Sequence, residues 1–218
     1  MALKNPTREA IHEALRKGLA KLGLDVNAAG QLTSYIAELD RWNQVYKFVK
    51  ADRGRLVSHH VLDALIAAPI VRTSGPKIGD LGSGVGLPAI PLAITLPNHI
   101  FTLIERSEKR RSFLTAVVPL LRLNNVQICA DAKGGYFDLL TARAVAPMVD
   151  LVQEAANHQL SRRLLIYAGK RKKIDDALPA LQYPATVQRV RVPLVTGERH
   201  LVTIDLDKSI TPINGAQV

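Results

Sequence analysis

The feature that most constrains this chain is a run of alternating glycines. Residues 78–91 read Ile-Gly-Asp-Leu-Gly-Ser-Gly-Val-Gly-Leu-Pro-Ala-Ile-Pro, with Gly82, Gly84 and Gly86 at every second position. Such glycines let the backbone adopt positive φ and approach a ligand without a Cβ in the way. A strand before the loop and a helix after it would make the first turn of a doubly wound parallel sheet, where such sheets bind nucleotides. The stretch therefore predicts an α/β fold with helices on both faces.

The glycine spacing and the preceding acid indicate the class of ligand. A dinucleotide fingerprint reads Gly-x-Gly-x-x-Gly, whereas this loop reads Gly-x-Gly-x-Gly and has Asp80 two residues ahead of Gly82. A carboxylate beside the loop attracts a cation and repels a pyrophosphate. S-adenosylmethionine (SAM), with its ammonium and sulfonium, is such a cation. The pattern favours a SAM site, and the alternative is a glycine-rich turn that binds no ligand.

A second acid follows the next predicted strand. The apolar run 100–104 ends in Glu105, about 25 residues beyond Asp80. An acid at the end of the second strand of such a sheet can accept hydrogen bonds from both ribose hydroxyls. We therefore interpret Glu105 as a cofactor residue. The alternative is that it begins the charged surface of the helix predicted over 107–121.

An arginine ends another strand of the predicted sheet. Residues 136–144 read as a buried strand, and Arg143 lies at its carboxyl end. Residues at the carboxyl ends of central strands line the ligand crevice of an open α/β sheet. Arg143 is therefore interpreted as a site residue rather than a surface charge.

The N-terminal part of the chain has the periodicity of helices rather than strands. Apolar residues recur at helical spacing between charged ones in three segments, namely 7–22, 27–45 and 54–68. We therefore predict an N-terminal helical cap (1–70), joined through a linker (69–76) to a core (71–208) and followed by a polar tail (209–218). Two period-two stretches near the end, 187–192 and 200–206, predict an antiparallel pair at the edge of the sheet. Cap and core are expected to form one compact unit.

The net charge and the composition limit the classes of partner and of site that this chain can have. The net charge of +10 and the pI of about 9.9 favour a polyanion such as RNA. Basic residues cluster at 106–111 and 170–173, where they are either solvated faces or phosphate contacts. The single cysteine, Cys129, excludes an intramolecular disulfide and a multi-cysteine metal site, and its apolar neighbours predict a buried thiol. No metal site, membrane span or signal peptide is expected, so the chain reads as cytoplasmic.

Several motifs together resemble one family. Beside the loop 80–91, they are Arg41-Trp42-Asn43, the pair His59-His60 followed by Leu62-Asp63, Thr141-Ala-Arg-Ala-Val145 and Gly197-Glu-Arg-His-Leu201. This set is similar to the RsmG (GidB) family of SAM-dependent methyltransferases, which methylate N7 of a guanine in 16S ribosomal RNA. The resemblance implies a seven-stranded methyltransferase sheet behind a helical cap, a monomer, and 16S rRNA or the small ribosomal subunit as partner.

The resemblance also implies roles for individual residues. Gly82, Gly84 and Leu87 would hold the methionine part of SAM, and Glu105 the ribose. Arg143 would be the catalytic residue, beside cofactor and guanine. The remaining assignments are Asp131, Ala132 and Lys133 for the adenine, and Lys170, Arg171, Arg199 and His200 for RNA.

Four segments depart from the family pattern. Lys47-Phe48-Val49 stands where the family commonly has Asn-Leu-Thr, and Ser58 or His59 where an arginine often precedes its His-x-Leu-Asp. Residues 131–133 stand where it has a segment like Arg-Ala-Glu, and 168–171 where it has Ala-Leu-Lys-Gly. Two alternatives therefore stay open: a SAM-dependent enzyme acting on another RNA or on a small molecule, and a non-catalytic member that binds RNA or SAM.

Overall fold

One mixed sheet organises the chain. The computed structural model describes residues 5–132 and 135–207, and in this part seven strands form a sheet in the order β3-β2-β1-β4-β5-β7-β6. Strands β1 to β5 run parallel, whereas β7 is antiparallel to both β5 and β6. The strands are β1 (Lys77–Leu81), β2 (Ile100–Ile104), β3 (Val126–Cys129), β4 (Leu139–Arg143), β5 (Arg163–Ala168), β6 (Ala185–Val190) and β7 (Arg199–Asp205). This confirms the predicted fold class.

The order of the strands creates a crevice at one point of the sheet. From β1 the chain builds outward through β2 to β3, then returns to the other side of β1 with β4. The connection after β1 therefore leads toward β2, and the connection after β4 leads the opposite way, toward β5. The two connections diverge, which leaves a gap at the carboxyl ends of β1 and β4. Ligands of open α/β sheets bind at such switch points.

The helices flank the sheet and form the N-terminal part. Thr7 caps the first helix by accepting a hydrogen bond from the Ala10 N–H at 3.2 Å, which satisfies one free donor of its first turn. The third helix contains a π-helical stretch, Leu56–Leu62, between the α-helical turns Arg53–Arg55 and Asp63–Leu65. We label the helices α1 (Arg8–Lys21), α2 (Ala29–Tyr46), α3 (53–65), α4 (Ala68–Arg72), α5 (Ala89–Thr95), α6 (Glu108–Leu120), α7 (Met148–Asn157) and α8 (Arg171–Ala177).

Two segments differ from the sequence-based expectation. The linker predicted at 69–76 is partly helical, because Pro69 occupies the first turn of α4, where its missing N–H costs no hydrogen bond. The strand predicted over 136–144 begins only at Leu139, since Phe137 makes an isolated bridge to Ser161.

The N-terminal helices share an apolar core with the sheet. Leu15 and Leu32 belong to the same buried cluster as Ile78 and Phe101 of β1 and β2. Tyr35 is fully buried, and its hydroxyl donates to the Val85 carbonyl in the glycine loop at 2.8 Å. The helices therefore touch the site directly. The boundary between cap and core at residue 70 stays a prediction, and the tail predicted at 209–218 lies outside the described residues.

Cys129 is only half-buried, contrary to the expected core thiol. It ends β3, the edge strand of the sheet, so only one neighbouring strand covers it. Burial and nearby Asp131 raise the pKa of its thiol. None of the helices in the described part of the chain is long and apolar enough to cross a membrane.

Candidate active site

A cavity opens at the switch point of the sheet. Its volume is about 590 Å³, within the range of about 300–1,000 Å³ typical of ligand pockets. Its floor is the glycine loop after β1, and Glu105 and Arg143 lie at the ends of β2 and β4. The cap contributes Phe48 and His60 to its wall. Residues from both parts of the chain therefore enclose one space.

Two glycines of the loop have conformations that other residues adopt only with strain. Gly82 has φ +67°, and a Cβ there would collide with the Val145 side chain. Gly84 has φ +61°, a Cβ there would lie 3.9 Å from the Gly82 carbonyl oxygen without a collision, and its N–H donates to Glu105 Oε2 at 2.8 Å. The loop thus exposes backbone to the cavity while it is anchored to the end of β2.

Backbone amides orient the Glu105 carboxylate. Oε2 accepts from Gly84 N at 2.8 Å and Oε1 accepts from Ser107 N at 2.7 Å, while the Arg110 guanidinium lies 3.8 Å from Oε2. The residue is only 5% exposed, yet it lines the cavity. A carboxylate oxygen has two lone pairs, so each oxygen keeps acceptor capacity for a ligand hydroxyl.

Asp80 lies beneath the loop rather than in the cavity wall. It is 1% exposed and is not one of the described residues that line the cavity. Asp80 and Thr141 are register partners in β1 and β4, and the Thr141 hydroxyl donates to Asp80 Oδ1 at 2.7 Å. Oδ2 is buried without a hydrogen-bond partner among the described residues. Leu81 occupies the cavity-facing position at the end of β1, so Asp80 lies outside the cavity lining, and its part in cofactor binding stays a prediction.

Burial dominates the electrostatics of Asp80. It raises the pKa of this carboxyl to about 7, even though the hydrogen bond from Thr141, the nearby Ser83 hydroxyl and the charge of Arg143 act in the opposite direction. Near neutral pH the group is therefore divided between its neutral and ionised forms. A neutral Asp80 would place a donor proton on one of its buried oxygens.

A buried carboxylate joins two arginines at the cavity. Arg143 Nη2 lies 2.9 Å from Asp63 Oδ2 and donates to the His59 carbonyl at 2.7 Å. Arg199 Nε donates to the other oxygen, Asp63 Oδ1, at 2.7 Å. Asp63 comes from α3, so the cap orients the arginine at the end of β4.

The sequence placed Asp63 only within a motif and did not predict its role. A signal was present: Asp63 is a lone carboxylate directly between apolar residues of the chain, Leu62 and Ala64, in a segment predicted to pack against the core. A charge in such a place needs a buried partner. Its partner could not be read from the chain, since Arg143 and Arg199 are 80 and 136 positions away.

The two adjacent histidines have different environments. His60 lines the cavity, and burial together with Arg143 lowers its pKa to about 4. His60 is therefore neutral at physiological pH. His59 Nδ1 is 2.8 Å from the Ser58 hydroxyl, and burial lowers its pKa as well.

The four residues predicted to contact RNA are not equivalent. Lys170 and Arg171 are exposed at the start of α8, and Arg171 forms an ion pair with Asp175 at 2.7 Å. Arg199 is part-buried in its contact with Asp63. His200 is 4% exposed, and its Nδ1 lies 2.7 Å from the Gly169 carbonyl. A direct contact of His200 with RNA is at odds with this burial.

The segment predicted to bind adenine lies beside the cavity. The Glu105 N–H donates to the Cys129 carbonyl at 3.0 Å, which sets the end of β3 against Glu105. Asp131 is exposed and Ala132 is half-buried, and among the described residues neither lines the cavity. Lys133 lies outside the described residues.

Comparisons with known proteins agree on one family. The sequence matches the family described as rRNA small subunit methyltransferase G over residues 28–202. Ribosomal RNA small subunit methyltransferase G of Laribacter hongkongensis (strain HLHK9) is 34% identical over 90% of this chain and 99% of its own. The protein of the same name from Stenotrophomonas maltophilia (strain R551-3) is 36% identical over 92% of this chain and 98% of its own.

Solved structures share the fold at low sequence identity. The delta-N METTL16 MTase domain superposes with a TM-score of 0.54 at 13% identity, covering 80% of this chain and 96% of that domain. Magnesium protoporphyrin IX methyltransferase (ChlM) from Synechocystis PCC 6803, solved with bound SAM, gives a TM-score of 0.52 at 19% identity over 77% of this chain and 90% of its own. At these identities the likeness shows the methyltransferase fold alone.

Proposed function

This chain belongs to the rRNA small subunit methyltransferase G family, and from that membership we propose that it transfers a methyl group from SAM to N7 of a guanine in 16S ribosomal RNA. The observation that carries the proposal is the cavity at the switch point, which combines the glycine loop, the amide-held Glu105 and Arg143. Its place at the carboxyl ends of β1, β2 and β4 is where a nucleoside-containing cofactor binds in this class of sheet.

The charges around the cavity are compatible with a cationic cofactor. Each arginine among the described lining residues has a carboxylate near it: Arg106 pairs with Glu154 at 2.7 Å, Arg143 with Asp63 at 2.9 Å, and Arg110 lies 3.8 Å from Glu105. No uncompensated arginine in this lining therefore repels a sulfonium. The donor and acceptor set fits SAM.

We assign the cofactor contacts along the floor of the cavity. The loop around Gly82, Gly84 and Leu87 holds the methionine part, where exposed backbone can meet charged ammonium and carboxylate groups. Glu105 accepts from the ribose hydroxyls with its free lone pairs. Asp80 supports the loop from beneath. The adenine extends past Glu105 toward the segment after β3, which assigns its edge to Asp131, Ala132 and Lys133.

The reaction requires that guanine N7 be aligned with the methyl group of SAM, and it requires no proton transfer. When bound, SAM supplies a methyl group on a sulfonium leaving group. N7 of guanine is an acceptor with a free lone pair, so no residue has to remove a proton from it. The main contribution of the protein is then to hold the reacting atoms in line, which can supply a large part of a rate enhancement.

Two side chains that line the cavity fit a reaction that needs alignment and no proton transfer. The guanidinium of Arg143 is a cation with several N–H donors and no acceptor, and its contacts with Asp63 and the His59 carbonyl fix its direction. We assign it to orienting guanine or cofactor oxygens. His60 is neutral and half-buried, and the mechanism needs no base from it.

The acceptor is assigned from charge. The net charge of +10 favours an acceptor carrying phosphates. Lys170 and Arg171 are exposed and can meet the backbone of 16S rRNA or of the small ribosomal subunit, with Arg199 nearer the cavity. We further propose that the protein acts as a monomer in the cytoplasm.

One experiment tests the reaction and its alternatives. Purified protein is incubated with tritiated SAM and either 16S rRNA or 30S subunits from a strain that lacks this gene, and the labelled nucleoside is identified after digestion. We expect 7-methylguanosine. Another methylated nucleoside would overturn the base assignment and keep the enzyme class. SAM binding without label would favour a different acceptor, and the absence of SAM binding would favour a non-catalytic member of the family.

A further inference from the structure

Three aromatic rings form a continuous stack that leads into the cavity. The rings of Trp42 and Tyr46 lie 5.5 Å apart at 29°, and those of Tyr46 and Phe48 lie 5.3 Å apart at 14°. We call these three residues the aromatic ladder. Its inner end, Phe48, lines the cavity. Phe113 of α6 supports the ladder from the core, with its centroid 5.6 Å from Trp42 and 6.2 Å from Phe48.

The backbone after α2 is built to bring Phe48 onto Tyr46. Helix α2 ends at Tyr46, and Lys47 reverses the chain with φ +53°. The Asn43 side chain then holds the returning segment at two points: its amide donates to the Val49 carbonyl at 2.6 Å, and its carbonyl accepts from the Val49 N–H at 2.8 Å. The stacking of Phe48 on Tyr46 is therefore fixed by hydrogen bonds as well as by packing.

The outer part of the ladder is open to solvent although it is apolar. Tyr46 is 45% exposed and Val45 is 73% exposed. Lys47 and Lys50, next to the rings in sequence, are also exposed. Proteins that hold single-stranded nucleic acid combine such cations, which follow the phosphates, with aromatic faces on which bases stack. Rings that served only the core would be covered.

We propose that the aromatic ladder is a platform for the acceptor RNA, in which one base stacks on Phe48 at the cavity mouth and a neighbouring nucleotide packs against the exposed side of Tyr46 outside it. Lys47 and Lys50 then contact the adjoining phosphates. The inference deepens the proposed function and rests on its RNA acceptor. It also gives a role to Phe48, which stands where the family resemblance expects leucine.

The position of Tyr46 favours RNA over the cofactor as the stacking partner. Tyr46 is not among the described residues that line the cavity, so a ligand confined to the cavity touches Phe48 alone. A strand that enters the cavity from the surface passes both rings. A methyltransferase that acts on a base must also bring that base out of its stack, and a ring at the cavity mouth replaces the lost stacking.

Fluorescence tests the platform directly. A single-stranded oligouridine carrying one 2-aminopurine is titrated with the full-length protein, because stacking on an aromatic ring quenches this base. Phe48→Leu and Tyr46→Leu remove a ring and keep apolar bulk. Tyr136→Leu is the matched control, since Tyr136 is a 52% exposed tyrosine outside the cavity lining. Affinity for SAM is measured on the same proteins by calorimetry.

We expect quenching with the natural protein and the control, and a loss of RNA affinity of about 5- to 150-fold in each ladder variant, from the range measured for single stacked bases. In Tyr46→Leu, which lies outside the cavity lining, SAM affinity stays within about twofold. Phe48→Trp, which keeps a ring, retains quenching. Unchanged quenching and RNA affinity in both leucine variants would overturn the inference. A loss confined to SAM affinity in Phe48→Leu would also overturn it and assign Phe48 to the adenine.

The outcome separates this inference from the proposed function. Formation of 7-methylguanosine with an unchanged KM for RNA in both leucine variants would reject the platform alone. Ring-dependent RNA binding by a protein that forms no 7-methylguanosine would reject the proposed reaction and retain the platform.

Discussion

The Asp63 carboxylate lies 2.9 Å from the Arg143 guanidinium, and this contact links helix α3 to the end of strand β4. Asp63 is 4% exposed, so the pair is shielded from water. Its second oxygen binds Arg199 at the start of β7. The direction of the cavity arginine is therefore set by the cap, and a change in the packing of α3 would move it.

Removal of the Asp63 carboxylate should destabilise the protein strongly. Asp63→Ala leaves Arg143 and Arg199 without their shared partner, and breaking a buried pair costs about 3–5 kcal/mol. Denaturant unfolding measures the change. The control is Asp175→Ala, which breaks the half-exposed ion pair with Arg171 and should cost less than about 1 kcal/mol. Equal losses of unfolding free energy in Asp63→Ala and Asp175→Ala would contradict the argument that burial makes the Asp63 pairs more important for stability.

Glu105 should decide cofactor affinity. Glu105→Gln replaces one acceptor oxygen with a donor NH2 that faces the N–H of Gly84 or Ser107. Hydrogen bonds to charged groups contribute about 1.5–3 kcal/mol, so we expect the Kd for SAM to rise by about 10- to 150-fold in calorimetry. Glu108→Gln, on the exposed first turn of α6, should leave the Kd unchanged. An unchanged Kd in Glu105→Gln would remove this residue from the cofactor site.

Arg143 should affect turnover more than cofactor binding. Arg143 Nη2 makes both contacts, with Asp63 and with the His59 carbonyl. Arg143→Lys keeps the charge and a nitrogen for these contacts, but it loses the other donors of the planar guanidinium at the cavity wall. Misplacement of about 1 Å can cost about 100-fold in rate, and we expect a fall in kcat of that order with the Kd for SAM preserved. The reference is Arg189→Lys on exposed β6. Full turnover by Arg143→Lys would contradict the orienting role.

Asp80 should make stability depend on pH. Its pKa is about 7 in the folded protein against 3.8 ordinarily, so the carboxyl stabilises the fold below about pH 4 and that contribution is lost as the pH rises to about 7. In this window the unfolded chain binds fewer protons, and the free energy of unfolding falls by about 1.4 kcal/mol per pH unit relative to Asp80→Asn.

Unfolding of the natural protein and of Asp80→Asn at several pH values measures this difference, because the contributions of other groups cancel between the two. The stability advantage of Asp80→Asn should grow from about pH 4 to about pH 7 and level off above it. A difference that does not change with pH would show that the carboxyl titrates alike in the folded and unfolded chains.

Gly82 should not tolerate a side chain. Gly82→Ala places a Cβ against Val145 at φ +67°, and the left-handed conformation alone costs about 1–2 kcal/mol for a residue with a Cβ. Thermal unfolding should show the loss. The double variant with Val145→Ala should recover only the part due to the collision. Gly169→Ala is the control, since Gly169 has open space and lacks positive φ; a similar loss there would contradict the argument.

The sequence predicted the parts of the site that follow directly from strand ends. Glu105 and Arg143 lie in the cavity wall because a residue that ends a central parallel strand always reaches the same edge of the sheet. Asp80 was predicted at the cavity and is buried, since a single position decides which face of a strand a side chain takes. His200 was predicted to contact RNA and is 4% exposed, with its Nδ1 2.7 Å from the Gly169 carbonyl, a contact between residues 31 positions apart that only the fold creates.

The sequence by itself determined the local geometry: alternating glycines produced the loop, apolar runs and period-two stretches produced most of the strands, and helical periodicity produced the N-terminal helices. These features depend on neighbours within a few positions. Only the tertiary structure decided that Asp63 joins Arg143 and Arg199, that Asp80 is desolvated, and that the aromatic ladder ends in the cavity. The reason is physical: charge pairing, desolvation and stacking act between atoms in space, and the chain brings together residues that are far apart in sequence only after it has folded.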